Sequence, residues 1–83
     1  MKLVLYGDGS EESEACKSFL KGRAIEFEEV DVRTQEGFER MIMRTQQKHA
    51  PALEIRRSHS VCAIVGFDAR RITAELGLKG KIS

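Results

Sequence analysis

The stretch KLVLYGDGSEESEACKSFLKG, residues 2–22, sets a short apolar run against a helical pattern, with a glycine turn between them. Lys2-Leu3-Val4-Leu5-Tyr6 is too short for a stable helix and reads as a buried strand, ended by Gly7 and Gly9. Ala15, Cys16, Phe19 and Leu20 then recur as one face of a helix. Ser10 suits the N-cap, where its hydroxyl can accept from a first-turn amide that has no carbonyl partner. Glu11, Glu12 and Glu14 suit the positive end of the helix dipole. Gly22 is expected to stop the helix.

Residues 24–32, AIEFEEVDV, mostly alternate apolar and polar, the pattern of a strand with one covered face. Thr34 can cap a second helix. Phe38, Met41, Ile42 and Thr45 form its apolar stripe, and its end is expected near Gln47, before Pro51. Residues 52–56 and 60–65 read as the arms of a hairpin turned by Arg57-Ser58-His59. Gly66 breaks the second arm. Asp68 caps a last helix, with Phe67 placed to staple onto Ile72 and Gly77 as the C-cap. The order is β-α-β-α-β-β-α. Its first half favours a parallel strand pair with a right-handed crossover, and the hairpin adds two antiparallel strands. Four strands in a mixed sheet with helices on both faces is a compact α/β arrangement for a chain of this size.

The chain has 83 residues, 41% hydrophobic and 33% charged, the balance of one globular domain spanning 1–83. Fourteen basic and 13 acidic residues leave a net charge of +1, which gives no field for nucleic acid or a membrane surface. Arg56-Arg57 and Arg70-Arg71 are the largest basic groups, and neither is interleaved with aromatics. No apolar run approaches the roughly 20 residues of a membrane helix. The N-terminus lacks the longer apolar region and cleavage site of a signal peptide. The chain therefore reads as a cytoplasmic monomer, with Cys16 and Cys62 as reduced thiols. Cys16, His49, His59 and Cys62 have no zinc-type spacing, so no metal is expected.

Four segments in this order resemble the glutaredoxin family of the thioredoxin fold. KLVLYGDGS is similar to the family's first strand and active-site loop, and CKSFLKGRAIEFEEVDV to the segment from the first helix into the second strand. TQQKHAPALEI resembles the loop and strand around the family's cis-proline, which places Pro51 at that position. VGFDARRI resembles the glycine step into the last helix. The resemblance implies the thioredoxin/glutaredoxin-like α/β fold.

It also puts Ser10 and Ser13 at the two cysteines of the family's redox motif, which here reads Ser10-Glu11-Glu12-Ser13. Thiol–disulfide exchange needs a thiolate to attack and a sulfur to leave. A helix N-terminus lowers a cysteine's pKa, but a serine hydroxyl there stays un-ionised and forms no mixed disulfide. The three glutamates would oppose a thiolate and repel glutathione's carboxylates, by roughly 1 kcal/mol per close exposed pair. As a hydrolytic nucleophile Ser10 would need a base, and His49 is the sole candidate beside Pro51. Cys16 shares the helix's apolar face, which makes it a buried small hydrophobe unless it serves monothiol chemistry. A Cys16–Cys62 disulfide does not fit a helix-to-edge-strand separation.

By the same resemblance, a glutathione groove would take in Gln47, Lys48, Ala50, Pro51, Phe67 and Asp68. Ala50 backbone would pair with the peptide like an added strand. Asp68 would accept from its amino group, and Gln47 and Lys48 would meet its carboxylate. Two functional readings stand side by side. One is a glutaredoxin-like module without dithiol chemistry, binding glutathione, a peptide or a partner protein. The other is a thiol- or selenol-dependent oxidoreductase in which Ser stands for the active-site residue. A third use is an interaction surface at the 60–65 edge strand or the 34–45 helix.

Overall fold

A computed structural model describes residues 1–77. The elements follow the expected order: β1 (Lys2–Gly7), α1 (Glu11–Gly22), β2 (Glu28–Asp31), α2 (Gln35–Thr45), β3 (Ala52–Arg56), β4 (Val61–Val65) and α3 (Ala69–Leu76). They form a four-stranded mixed sheet in the order β2-β1-β3-β4. β1 runs parallel to β2, with Tyr6 beside Val30, and antiparallel to β3, with Leu5 beside Leu53. β3 and β4 make the expected antiparallel hairpin.

Alternation along β1 divides the core. Leu3 and Leu5 join Cys16, Leu20, Leu53, Ile55, Ile64 and Ile72, which brings α1 and α3 to one face. Val4 and Tyr6 join Val30, Met41 and Ala52 under α2 on the other. Each fully buried Leu or Ile adds roughly 1.5–3 kcal/mol of apolar transfer, so both faces hold their helices firmly. Tyr6 is central to the second face. Its hydroxyl donates to Glu54 Oε1 at 2.6 Å, and Arg56 Nε donates to Glu54 Oε2 at 2.6 Å. Glu54 is only 1% exposed, so these two donors compensate a carboxylate taken almost wholly out of water.

The caps read from sequence are in place. Thr34 accepts from Gly37 N–H at 3.0 Å, and Asp68 Oδ1 from Arg71 N–H at 3.1 Å. Gly77 closes α3 in the left-handed conformation, with φ +67°. A Cβ on Gly37 would overlap the Asp31 carbonyl oxygen, so glycine lets α2 start hard against the end of β2.

Several local expectations are corrected. Gly22 is the last residue of α1 and does not turn the chain. Ala24 takes the left-handed conformation instead, with φ 56°, and Ile25 N–H returns to Leu20 O at 3.0 Å. That turn consumes the start of the expected strand. Ile25 and Phe27 pack against the α1 face before the ladder begins at Glu28, so β2 has four residues. α2 ends at Thr45, because Gln46 adopts φ 61° and donates back to Ile42 O. Ala15 and Phe38 are exposed, since each lies at the flank of its apolar stripe; Cys16 and Leu20 fill the centre in α1, and Met41 and Thr45 in α2. Among the described residues no helix is long and apolar enough to cross a membrane.

Candidate functional site

The turn after β1 is organised by Asp8. Its carboxylate accepts from Ser10 N–H at 3.0 Å and from the Ser13 hydroxyl at 2.8 Å. Asp8 N–H in turn donates to Ser13 Oγ at 3.1 Å. Ser10 Oγ caps α1 by accepting from Ser13 N–H at 3.2 Å. The Ser10 hydroxyl donates to Ser13 Oγ at 3.3 Å. Hydrogen bonding by Ser10 first, and then by Ser13, holds the Asp8 carboxyl down at about 2. Ser13 is buried beside Gly7. Its hydroxyl donates once and accepts twice, so it has no capacity left for an incoming group.

The surroundings are acidic. Glu11, Glu12 and Glu14 occupy the first turn of α1. Arg33 lies against Gly9 and forks onto Asp31, with both nitrogens at 3.0 Å. Lys17 meets Glu29 at 3.0 Å and Glu14 at 3.7 Å. A cleft of about 260 Å³ runs between these groups, lined by Gly7, Gly9, Ser13, Lys17, Glu29 and Arg33. Its charges are already paired with one another.

The thiols lie away from this turn's surface. Cys16 is 1% exposed, and burial, with a smaller push from the Glu12 charge, raises its thiol to about 11. Cys62 is half-buried on β4 and packs against the same core. Both are free thiols. Among the described residues no three His, Cys, Asp or Glu side chains gather as a metal site would require.

The expected groove residues fall into two groups. Pro51, buried and following a cis peptide from Ala50, is joined to the last-helix step by Gly66 N–H donating to Pro51 O at 2.7 Å. Phe67 N–H donates to Glu12 Oε2 at 2.8 Å, which ties that step to the first turn of α1. Thus Ser10-Glu11-Glu12-Ser13, Ala50-Pro51 and Phe67-Asp68 form one continuous region. Asp68 is exposed and its Oδ1 caps α3, while the Phe67 ring stacks near Phe19, centroids 5.6 Å apart. Gln47 and Lys48 lie in the turn after α2 that leads to Ala50. Gln47 N–H donates to Thr45 Oγ1 at 3.1 Å, and Lys48 and His49 are exposed. Sequence reading missed two contributors, Asp8 and the Glu12 carboxylate on Phe67. Asp8 was legible in principle, since Asp two residues before a helix cap often accepts from the cap's own N–H. The Glu12 contact spans 55 residues and leaves no local signal.

No protein-family model and no curated protein sequence matches the chain. A structural match exists with the crystal structure of a glutaredoxin from Archaeoglobus fulgidus. The TM-score is 0.73 at 14% identity, covering 95% of this chain and 87% of that one. The fold is therefore glutaredoxin-like, of the thioredoxin type, as the sequence resemblance implied.

Proposed function

We propose that this chain is a binding module on a glutaredoxin-like fold, without dithiol chemistry, that takes glutathione or an extended peptide along the Ala50–Pro51 loop. One observation carries the reading. Where a redox pair would stand, Ser10 and Ser13 form a closed hydrogen-bonded unit with Asp8. That unit starts a helix and supplies neither an attacking thiolate nor a leaving sulfur. The nearest sulfur, Cys16, is buried and its thiol is held protonated at neutral pH.

Binding rests on the parts of the region that remain open. Ala50 lies outside every strand, beside the β3 start, where an extended peptide can pair with its backbone. Asp68 is exposed and anionic, suited to an amino group. The acidic first turn of α1 works against carboxylates, which favours weak binding of glutathione and stronger binding of a neutral or basic peptide. The test is a titration with glutathione followed by backbone amide shifts. Shifts clustered at Ala50, Phe67 and Asp68 support the reading, and unchanged spectra at millimolar ligand reject it.

A second reading has its own support. The two serine oxygens converge to 3.3 Å, as the side chains of a redox pair would. In that case Ser stands where the native protein has Cys or selenocysteine, and the chain is an oxidoreductase. Serine codons at positions 10 and 13 of the native gene dismiss it.

A further inference from the structure

The sheet has two edges, and they are built differently. β2 reads Glu28-Glu29-Val30-Asp31, and its acids pair with Arg40, Lys17 and Arg33. A short edge crowded with charge discourages another strand from adding to it. β4 reads Val61-Cys62-Ala63-Ile64-Val65, with no charge, no proline and no bulge in its pairing with β3. Among the described residues it has none of the usual protections.

The direction of its free groups follows from the ladder. Gly66 N–H points at Pro51 O, and Ser60 O receives Arg57 N–H. Even-numbered residues of β4 therefore face β3, and Val61, Ala63 and Val65 turn their N–H and C=O groups to the open edge. Val61 and Val65 are also 56% and 40% exposed on the α2 side of the sheet. The open edge is thus Val-x-Ala-x-Val, the same read from either end about Ala63.

We propose that β4 pairs with β4 of a second copy of this chain, antiparallel about Ala63, to give a two-fold dimer with a continuous eight-stranded sheet. In that register Ala63 faces Ala63 and Val61 faces Val65. Each facing pair is of the hydrogen-bonded type and exchanges both main-chain bonds. The side chains on the exposed face meet as valine on valine around a small central alanine, which lets the strands close without crowding. Cys62 of one copy faces Ile64 of the other, so no disulfide forms across the axis. The symmetry is isologous, so pairing stops at two copies. The chain expected from sequence as a monomer is thereby a reversible dimer. Five residues of strand, about 17 Å long, cover less than a standard interface, so it dissociates on dilution.

The experiment is sedimentation equilibrium from micromolar to millimolar protein, with amide exchange measured at both extremes. The mass rises with concentration from 9.4 kDa to twice that value. The amides of Val61, Ala63 and Val65 gain protection over the same range, whereas Cys62 and Ile64, paired with β3, are protected throughout. Val61→Lys and Val65→Lys, both at exposed positions, hold the chain at the monomer mass while leaving its circular dichroism unchanged. A monomer at millimolar concentration overturns the proposal. So does a dimer that survives both lysine variants, or one in which the three outward amides stay unprotected. If the lysine variants fail to fold, the exchange pattern of the unmodified chain decides alone.

Discussion

Ser13→Ala is the sharpest probe of the serine turn. The substitution removes a hydroxyl that donates to the Asp8 carboxylate at 2.8 Å and accepts from Asp8 N–H at 3.1 Å and Ser10 Oγ at 3.3 Å. Alanine fits the site, because it keeps the Cβ of buried Ser13 and loses only the hydroxyl. The loss is therefore in hydrogen bonding. A bond to a charged acceptor contributes about 1.5–3 kcal/mol and a neutral one about 1 kcal/mol, with water replacing part of the loss at half-buried Asp8. A net cost of about 2 kcal/mol is expected in urea unfolding at neutral pH. The cost depends on pH. The Asp8 carboxyl is lowered from 3.8 to about 2, so its bonds contribute fully above 3.8 and fade as pH falls toward 2. Ser13→Ala should thus destabilise less at pH 2.5 than at pH 6. A penalty that is equal at both, or absent at pH 6, refutes the assignment of this turn as a carboxylate-centred network.

Further outcomes follow from other contacts. Tyr6 is the one tyrosine, so absorbance titration reports it alone. Burial first, and Glu54 second, raise it well above its ordinary 10, and no phenolate should form until the fold gives way in alkali. The stability that Tyr6 contributes is accordingly full below pH 10 and is lost progressively as pH rises above it. Tyr6→Phe leaves Glu54 a single donor in a site 1% exposed and should cost about 2 kcal/mol in denaturant. A thiol reagent should label Cys62 in the folded protein and reach Cys16 only on unfolding, as mass spectrometry of the adducts will read. Glu12→Ala frees the Phe67 amide and removes an acid from the groove, so glutathione should bind about fivefold more tightly, near 1 kcal/mol, by amide-shift titration.

Much of this architecture is local and was therefore legible. Ser10, Thr34 and Asp68 cap helices by contacts within three residues, and Gly77 closes the last one by its own backbone freedom. Alternation and turn residues give the β3–β4 hairpin to within a residue. What failed also has local physical causes. Ala24 and Gln46 adopt left-handed conformations that neither residue advertises, so one strand and one helix came out too long. The burial of Glu54 was not legible, since it depends on a tyrosine 48 residues away as well as on a neighbouring arginine. At the site, the serine cap was readable. Its closure by Asp8 and the bridge from Glu12 to Phe67 depend on chain reversals that spacing does not reveal.

The central claim is that Ser10-Glu11-Glu12-Ser13 is a helix start occupying the place of a redox motif. The most direct measurement is glutathione-dependent reduction of a small mixed disulfide by the chain as it stands. The expected result is turnover no faster than the protein-free reaction, with no glutathione adduct on Cys16 by intact mass. Sustained turnover that disappears when Cys16 is alkylated or replaced by Ala contradicts it.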